Sequence, residues 1–132
     1  MDVVDHLALL DLHARYAYTI DAGAAEEWAA CFTPDGSLRT SRPLHVQGRK
    51  ALAEFAADWH ASNGDQRRHM TWHHRFAVVG SGAQGTCYAA LLRAGPDGVS
   101  TEFTAVYHDR FTRVSEGWAI HERCVAIDRG SD

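Results

Sequence analysis

Two short stretches hold the side chains best suited to acid–base chemistry. In Tyr16-Ala17-Tyr18-Thr19-Ile20-Asp21 a phenol precedes a carboxylate by five positions, and Arg68-His69-Met70-Thr71-Trp72-His73-His74 carries three imidazoles within six residues. A histidine in a partly apolar setting titrates near neutrality, and a carboxylate bonded to one ring nitrogen fixes the tautomer and makes the other nitrogen a better base. Asp21 and His69 would make such a pair, with Tyr16, and less directly Tyr18, donating a hydrogen bond to a developing oxyanion or leaving group. Arg123 is a weaker candidate for anion stabilisation. Asp21 also has a structural reading, because an aspartate just ahead of a helix is a good N-cap.

The density of histidine raises the question of a metal. His60, His69, His73 and His74 lie within fifteen residues, but ligands on one strand should sit two apart, and His69 and His73 are four apart. The expectation is no metal and no other cofactor. For His73 and His74 the ordinary expectation is a solvated or core-satisfied ring. There is no glycine-rich phosphate loop, no G-x-S-x-G elbow and no paired-cysteine motif.

These residues need elements to hold them. Val3, Leu7, Leu10, Ala14 and Ala17 recur at steps of three or four, which predicts an amphipathic helix over 3–19 with Asp2 as its N-cap. Residues 24–32 predict a second short helix, and Thr33-Pro34-Asp35-Gly36 a tight turn. Two weak strands are expected around Pro43, on an edge. Leu52, Phe55, Ala56 and Trp59 mark a third helix that stops at Ser62-Asn63-Gly64-Asp65.

The remainder, 69–79, 84–94, 100–114 and 118–127, is rich in Val, Thr, Phe, Tyr and Trp and is divided by glycine-bearing turns. Four such strands in a row predict an antiparallel meander. On the first of them, His69, Thr71 and His73 should share one face, with Met70, Trp72 and His74 on the other. Helices followed by a long twisted sheet make an α+β fold, a cone of three helices on a curved, mainly antiparallel sheet around a pocket. Phe55, Trp59, Trp72 and Tyr88 would line that pocket, with His73 beside them, for a mostly apolar small molecule. The opposite face keeps Trp72, Phe76 and Val78, which predicts a homodimer through the sheet.

With 132 residues, the chain is expected to form one domain over 1–132. Its net charge of -4 opposes nucleic acid. An acidic N-terminus and the lack of a long apolar run predict no secretion signal, no membrane span and a cytoplasmic location. Cys31, Cys87 and Cys124, odd in number and widely spaced, suit reduced thiols.

The order of several pieces is familiar. Tyr-Ala-x-x-x-Asp, a tryptophan helix, Phe32-Thr33-Pro34-Asp35-Gly36, Val46-Gln47-Gly48-Arg49-Lys50-Ala51-Leu52, Arg68-His69, Tyr107-His108-Asp109-Arg110-Phe111 and Gly117-Trp118-Ala119-Ile120 through Arg123 together resemble SnoaL-like domains of the nuclear transport factor 2 superfamily. The pattern is most similar to the scytalone dehydratase, bile-acid dehydratase and dehydrochlorinase group. That resemblance implies a cofactor-free lyase or isomerase with Asp21 and His69 as its dyad and Tyr16 as its tyrosine. Many relatives have asparagine where this chain has His73, and the stretch Tyr88-Ala89-Ala90-Leu91-Leu92 lacks the deeper histidines of scytalone dehydratase. The superfamily also implies alternatives: a polyketide cyclase, an epoxide hydrolase, or a non-catalytic binding or accessory subunit domain.

Overall fold

The computed structural model describes residues 1–129. Its elements run α1 (Val3–Asp21), α2 (Ala25–Ala29), β1 (Phe32–Thr40), β2 (Leu44–Gln47), α3 (Arg49–Asn63), β3 (Arg67–Val79), β4 (Gly82–Gly95), β5 (Gly98–Val114) and β6 (Gly117–Ile127). The expected caps are in place. Asp2 accepts from the Asp5 N–H at 2.8 Å to start α1, and Gly64, at φ 69°, ends α3 in a conformation that costs other residues strain.

The six strands form one sheet in the order β2-β1-β6-β5-β4-β3. The meander β3 to β6 is antiparallel throughout, and only β1 beside β6 is parallel. The α+β cone follows from this arrangement: α1 lies against β3 and β6, α3 against β1 and β2, and the sheet curls round them. Leu9, Leu12, Tyr16 and Ile20 of α1 meet Trp28, Phe32, Leu52, Cys87, Phe111 and Ile120 in the core. Each large apolar side chain buried there contributes about 1.5–3 kcal/mol relative to exposure.

Three local expectations need correction. The buried stripe of α1 is Leu9, Leu12, His13, Tyr16 and Ile20, not the row through Val3 and Leu7, which are exposed. The helix carries two apolar rows, and the row with the larger rings won the core. Thr33-Pro34-Asp35-Gly36 is no turn but the first half of β1, where the register against β6 shifts between Phe32 and Ser37. An irregular ladder is where a strand tolerates proline.

The third correction bears on the site. His73 takes φ 56°, and the β3–β4 register slips between Trp72 and Arg75. This bulge reverses the alternation of β3, since one extra residue turns every later side chain to the other face. His69 and Thr71 face inward before it, His74 and Phe76 after it, while Trp72 and His73 point out. Phe76 therefore packs inside against His13 and Phe111 rather than on the outer face.

Candidate functional site

Asp21, the last residue of α1, turns its carboxylate to β3. Oδ1 lies 2.7 Å from Nδ1 of His69, and both oxygens accept from the His69 backbone N–H, at 3.2 and 3.1 Å. The capping role is thereby excluded, because α2 starts at Ala25 and its N-cap residue is Ala24, with no side-chain cap. A carboxylate receiving the Nδ1 proton leaves Nε2 of His69 as the basic nitrogen, and among the described residues no protein group is hydrogen-bonded to it.

The imidazole forms part of the wall of a 240 Å³ cavity with Tyr16, Ile20, Trp28, Phe55, Trp59 and Tyr107, which Arg42 and Phe103 also line. Trp59 lies 5.1 Å from the His69 ring, and Tyr16 meets that ring edge-on at 6.3 Å. Burial pushes the Tyr16 and Tyr107 hydroxyls above the ordinary phenol pKa, outweighing the opposing charge of Arg123. Both stay protonated donors at neutral pH. On the far side of the pair a second concavity of 730 Å³ lies between α1 and β3, and His69 lines both.

Of the residues expected from the sequence, Tyr16, Asp21, His69, Phe55 and Trp59 come together. Tyr18 does not line the inner cavity: it is 79% exposed and borders the outer cleft. Trp72, His73 and Tyr88 lie on the outer face of the sheet, since the bulge points His73 away and Trp72 pairs with Tyr88 across the β3–β4 ladder. Arg123 cannot reach a ligand. It is wholly buried, paired through Nε and Nη2 with Asp109 at 2.8 and 3.0 Å, and covered by the rings of Tyr16 and Tyr107 at 4.3 Å each.

The four histidines weighed for a metal do not converge. His60 bonds Asp65 at 2.6 Å, His69 bonds Asp21, His73 points out, and His74 bonds Thr71 at 3.0 Å. Sequence reasoning missed Trp28, Tyr107 and Phe103 as cavity lining. Alternation on β5 offered a signal for the last two, as Phe103, Ala105 and Tyr107 share a face. No helix among the described residues is long and apolar enough to cross a membrane.

Comparison with known proteins identifies the family. The family model of the SnoaL-like domain matches residues 1–124, and the chain belongs to that family. No curated protein sequence matches it closely. Among solved structures, a variant of Rv3472, a protein of unknown function from Mycobacterium tuberculosis, superposes with a TM-score of 0.88 at 31% identity, covering 96% of this chain and 73% of that one. A Catenulispora acidiphila protein solved in complex with S-DNPA gives 0.86 at 27% identity over 96% of each chain. An NTF2-like protein with a cystatin-like fold from Novosphingobium aromaticivorans gives 0.86 at 22%, covering 98% of this chain and 85% of that one, a likeness of fold.

Proposed function

From a SnoaL-like domain with a carboxylate–imidazole pair set in an apolar cavity, we propose a cofactor-independent lyase or isomerase of the dehydratase type, acting on a mostly apolar cyclic ketone. The observation that carries this reading is the Asp21 carboxylate engaging both Nδ1 and the backbone N–H of His69, which leaves Nε2 as the free base in the cavity wall.

Neutral His69 takes a proton from the carbon beside a carbonyl, and the C–H electron pair moves into the enolate. Asp21 stabilises the imidazolium so formed. Tyr16 donates a hydrogen bond to the enolate oxygen, an interaction worth about 2.7–4 kcal/mol for one well-placed donor. The imidazolium then returns its proton either to a departing β-hydroxyl, which leaves as water, or to another carbon of the enolate, which isomerises the substrate. Cyclisation of a polyketide begins with the same proton transfer. A volume of 240 Å³ lies a little under the usual ~300–1,000 Å³ of small-molecule sites and suits one or two rings.

The test is incubation of the wild type and His69→Ala with cyclic β-hydroxy ketones and enones in deuterated water, followed by mass spectrometry. Deuterium uptake or water loss by the wild type should fall at least ~100-fold in the variant, the lower end of what a placed general base supplies. A variant that exchanges as fast as the wild type, or a wild type inert across the panel, overturns the reading in favour of a binding module.

A further inference from the structure

We propose that His13, His74 and Cys87, behind the dyad cavity, form a binding site for one divalent transition-metal ion of the zinc type. One ring nitrogen of each histidine and the Cys87 sulfur all lie within 4.8 Å of one another. The three residues come from α1, β3 and β4, which is why no sequence spacing announced them.

His13 supplies the strongest pointer. It is 3% exposed, and its Nδ1 is bonded to the Leu9 carbonyl at 2.8 Å, which assigns the N–H there and a lone pair to Nε2. Nε2 is buried without a hydrogen-bond partner and faces Oδ2 of Asp109 at 3.6 Å. In a dry interior such a contact needs a cation, a proton or a metal ion, beside it. A ring nitrogen tied to a backbone carbonyl while the other stays free is also how metal-bound histidines are oriented. His74 is held through a side chain, its Nε2 paired with the Thr71 hydroxyl at 3.0 Å.

One thiol and two imidazoles are a borderline-soft donor set that suits Zn²⁺ or Co²⁺. With metal–sulfur near 2.3 Å and metal–nitrogen near 2.1 Å, ligand atoms of a tetrahedral site stand about 3.4–3.6 Å apart, so the three must close by about an ångström. A water fills the fourth position, since both Asp109 oxygens are held by Arg123. The Cys87 thiol gives its proton to solvent as the sulfur takes the ion, and the Arg123 charge nearby is already matched by Asp109. Entry is from the 730 Å³ cleft between α1 and β3, which His13 and His74 both line. The bound ion ties α1, which carries Tyr16 and Asp21, to the sheet.

The experiment is a Co²⁺ titration of chelator-stripped, full-length protein, followed by visible and near-ultraviolet absorption and by thermal melting. The wild type should bind one equivalent, show tetrahedral cobalt bands with a sulfur-to-cobalt charge-transfer band, lose them to Zn²⁺, and melt at a higher temperature when loaded. Cys87→Ser and His74→Ala, checked for fold by circular dichroism, should each bind more than ~100-fold more weakly, since loss of an outer-shell partner alone costs about 10–100-fold. His69→Ala should bind as the wild type does. No charge-transfer band in the wild type, or equal affinity in Cys87→Ser or His74→Ala, overturns the site.

Discussion

Two aspartates of this chain each hold a basic side chain, and the ring of Tyr16 is a neighbour of both pairs. Asp21 and His69 have side-chain exposures of 13% and 14%, whereas Asp109 and Arg123 stand at 1% and 0%. Asp109 spends both oxygens on one guanidinium, whose remaining Nη1 has no hydrogen-bond partner and whose faces are covered by Tyr16 and Tyr107. Asp21 instead fixes one nitrogen of a ring and leaves the other beside a cavity. Chemistry needs a group with a bond left to make. The inner pair, although Nη1 is unpartnered, is closed to a substrate by its burial, and burial of its charges is tolerable only because they are matched.

The comparison breaks most sharply under paired substitutions. Asp109→Asn removes one charge of a buried pair and should cost about 3–5 kcal/mol, since the Arg123 charge remains uncompensated. Against a typical total of about 5–15 kcal/mol, that moves the urea midpoint far down or abolishes folding. Asp21→Asn, by contrast, keeps an acceptor for the His69 backbone. Its midpoint should fall by no more than about 1–2 kcal/mol, while any turnover drops at least ~100-fold through loss of the imidazolium's counter-charge. If Asp21→Asn unfolded while Asp109→Asn stayed folded and fully active, the two pairs would have exchanged roles.

What the sequence revealed divides along the same line. The helices and the meander were legible because their apolar periods and glycine turns are local signals. The pairing of Asp21 with His69, 48 residues apart, was readable through the resemblance to SnoaL-like domains and not through spacing. Arg123 was misread because its type suggests anions, while its burial depends on Asp109, Tyr16 and Tyr107 arriving from other elements. The pocket face of β3 was misread beyond Thr71 because a bulge at a histidine leaves no mark in the alternation that precedes it. With that slip His73 left the predicted lining, whereas Trp72 and its cross-strand partner Tyr88 face out by the plain alternation that starts at His69.

Tyr16 sharpens the comparison because it touches both pairs with different parts of itself. Its ring covers Arg123, whose guanidinium also reaches toward the hydroxyl. Tyr16→Phe keeps the ring and removes only the donor. Stability should therefore change by no more than about 1.5 kcal/mol, what a single side-chain hydrogen bond typically contributes. Turnover should fall about 10²–10³-fold if the hydroxyl serves the enolate oxygen. Unchanged kcat would confine Tyr16 to packing around Arg123, and a large drop in the urea midpoint would mean that the phenol supports the fold.

A third aspartate with a basic partner, at the surface end of α1, tests the effect of burial at its weak limit. Asp5 accepts from Nη1 and Nη2 of Arg113 at 3.0 and 2.9 Å and from Trp118 Nε1 at 3.1 Å, while the guanidinium stacks over the indole at 4.2 Å. The Arg113 hydrogen bonds, and then that of Trp118, lower its pKa below the ordinary carboxylate value. A carboxyl whose folded pKa lies below its unfolded value contributes stability that is fully present above the unfolded value, about 3.9, and is lost as pH falls through the folded one. Asp5→Asn should therefore be slightly less stable than the wild type at pH 7. The gap should narrow with added salt, because Arg113 is half exposed, and it should close as pH drops below about 4, where the wild-type carboxyl takes up its proton. Urea midpoints of the two proteins at pH 7, 5 and 3 measure this. A gap that widens toward low pH would mean that the Arg113 contact does not hold Asp5 ionised, and that burial is not what separates this pair from the one at Asp109.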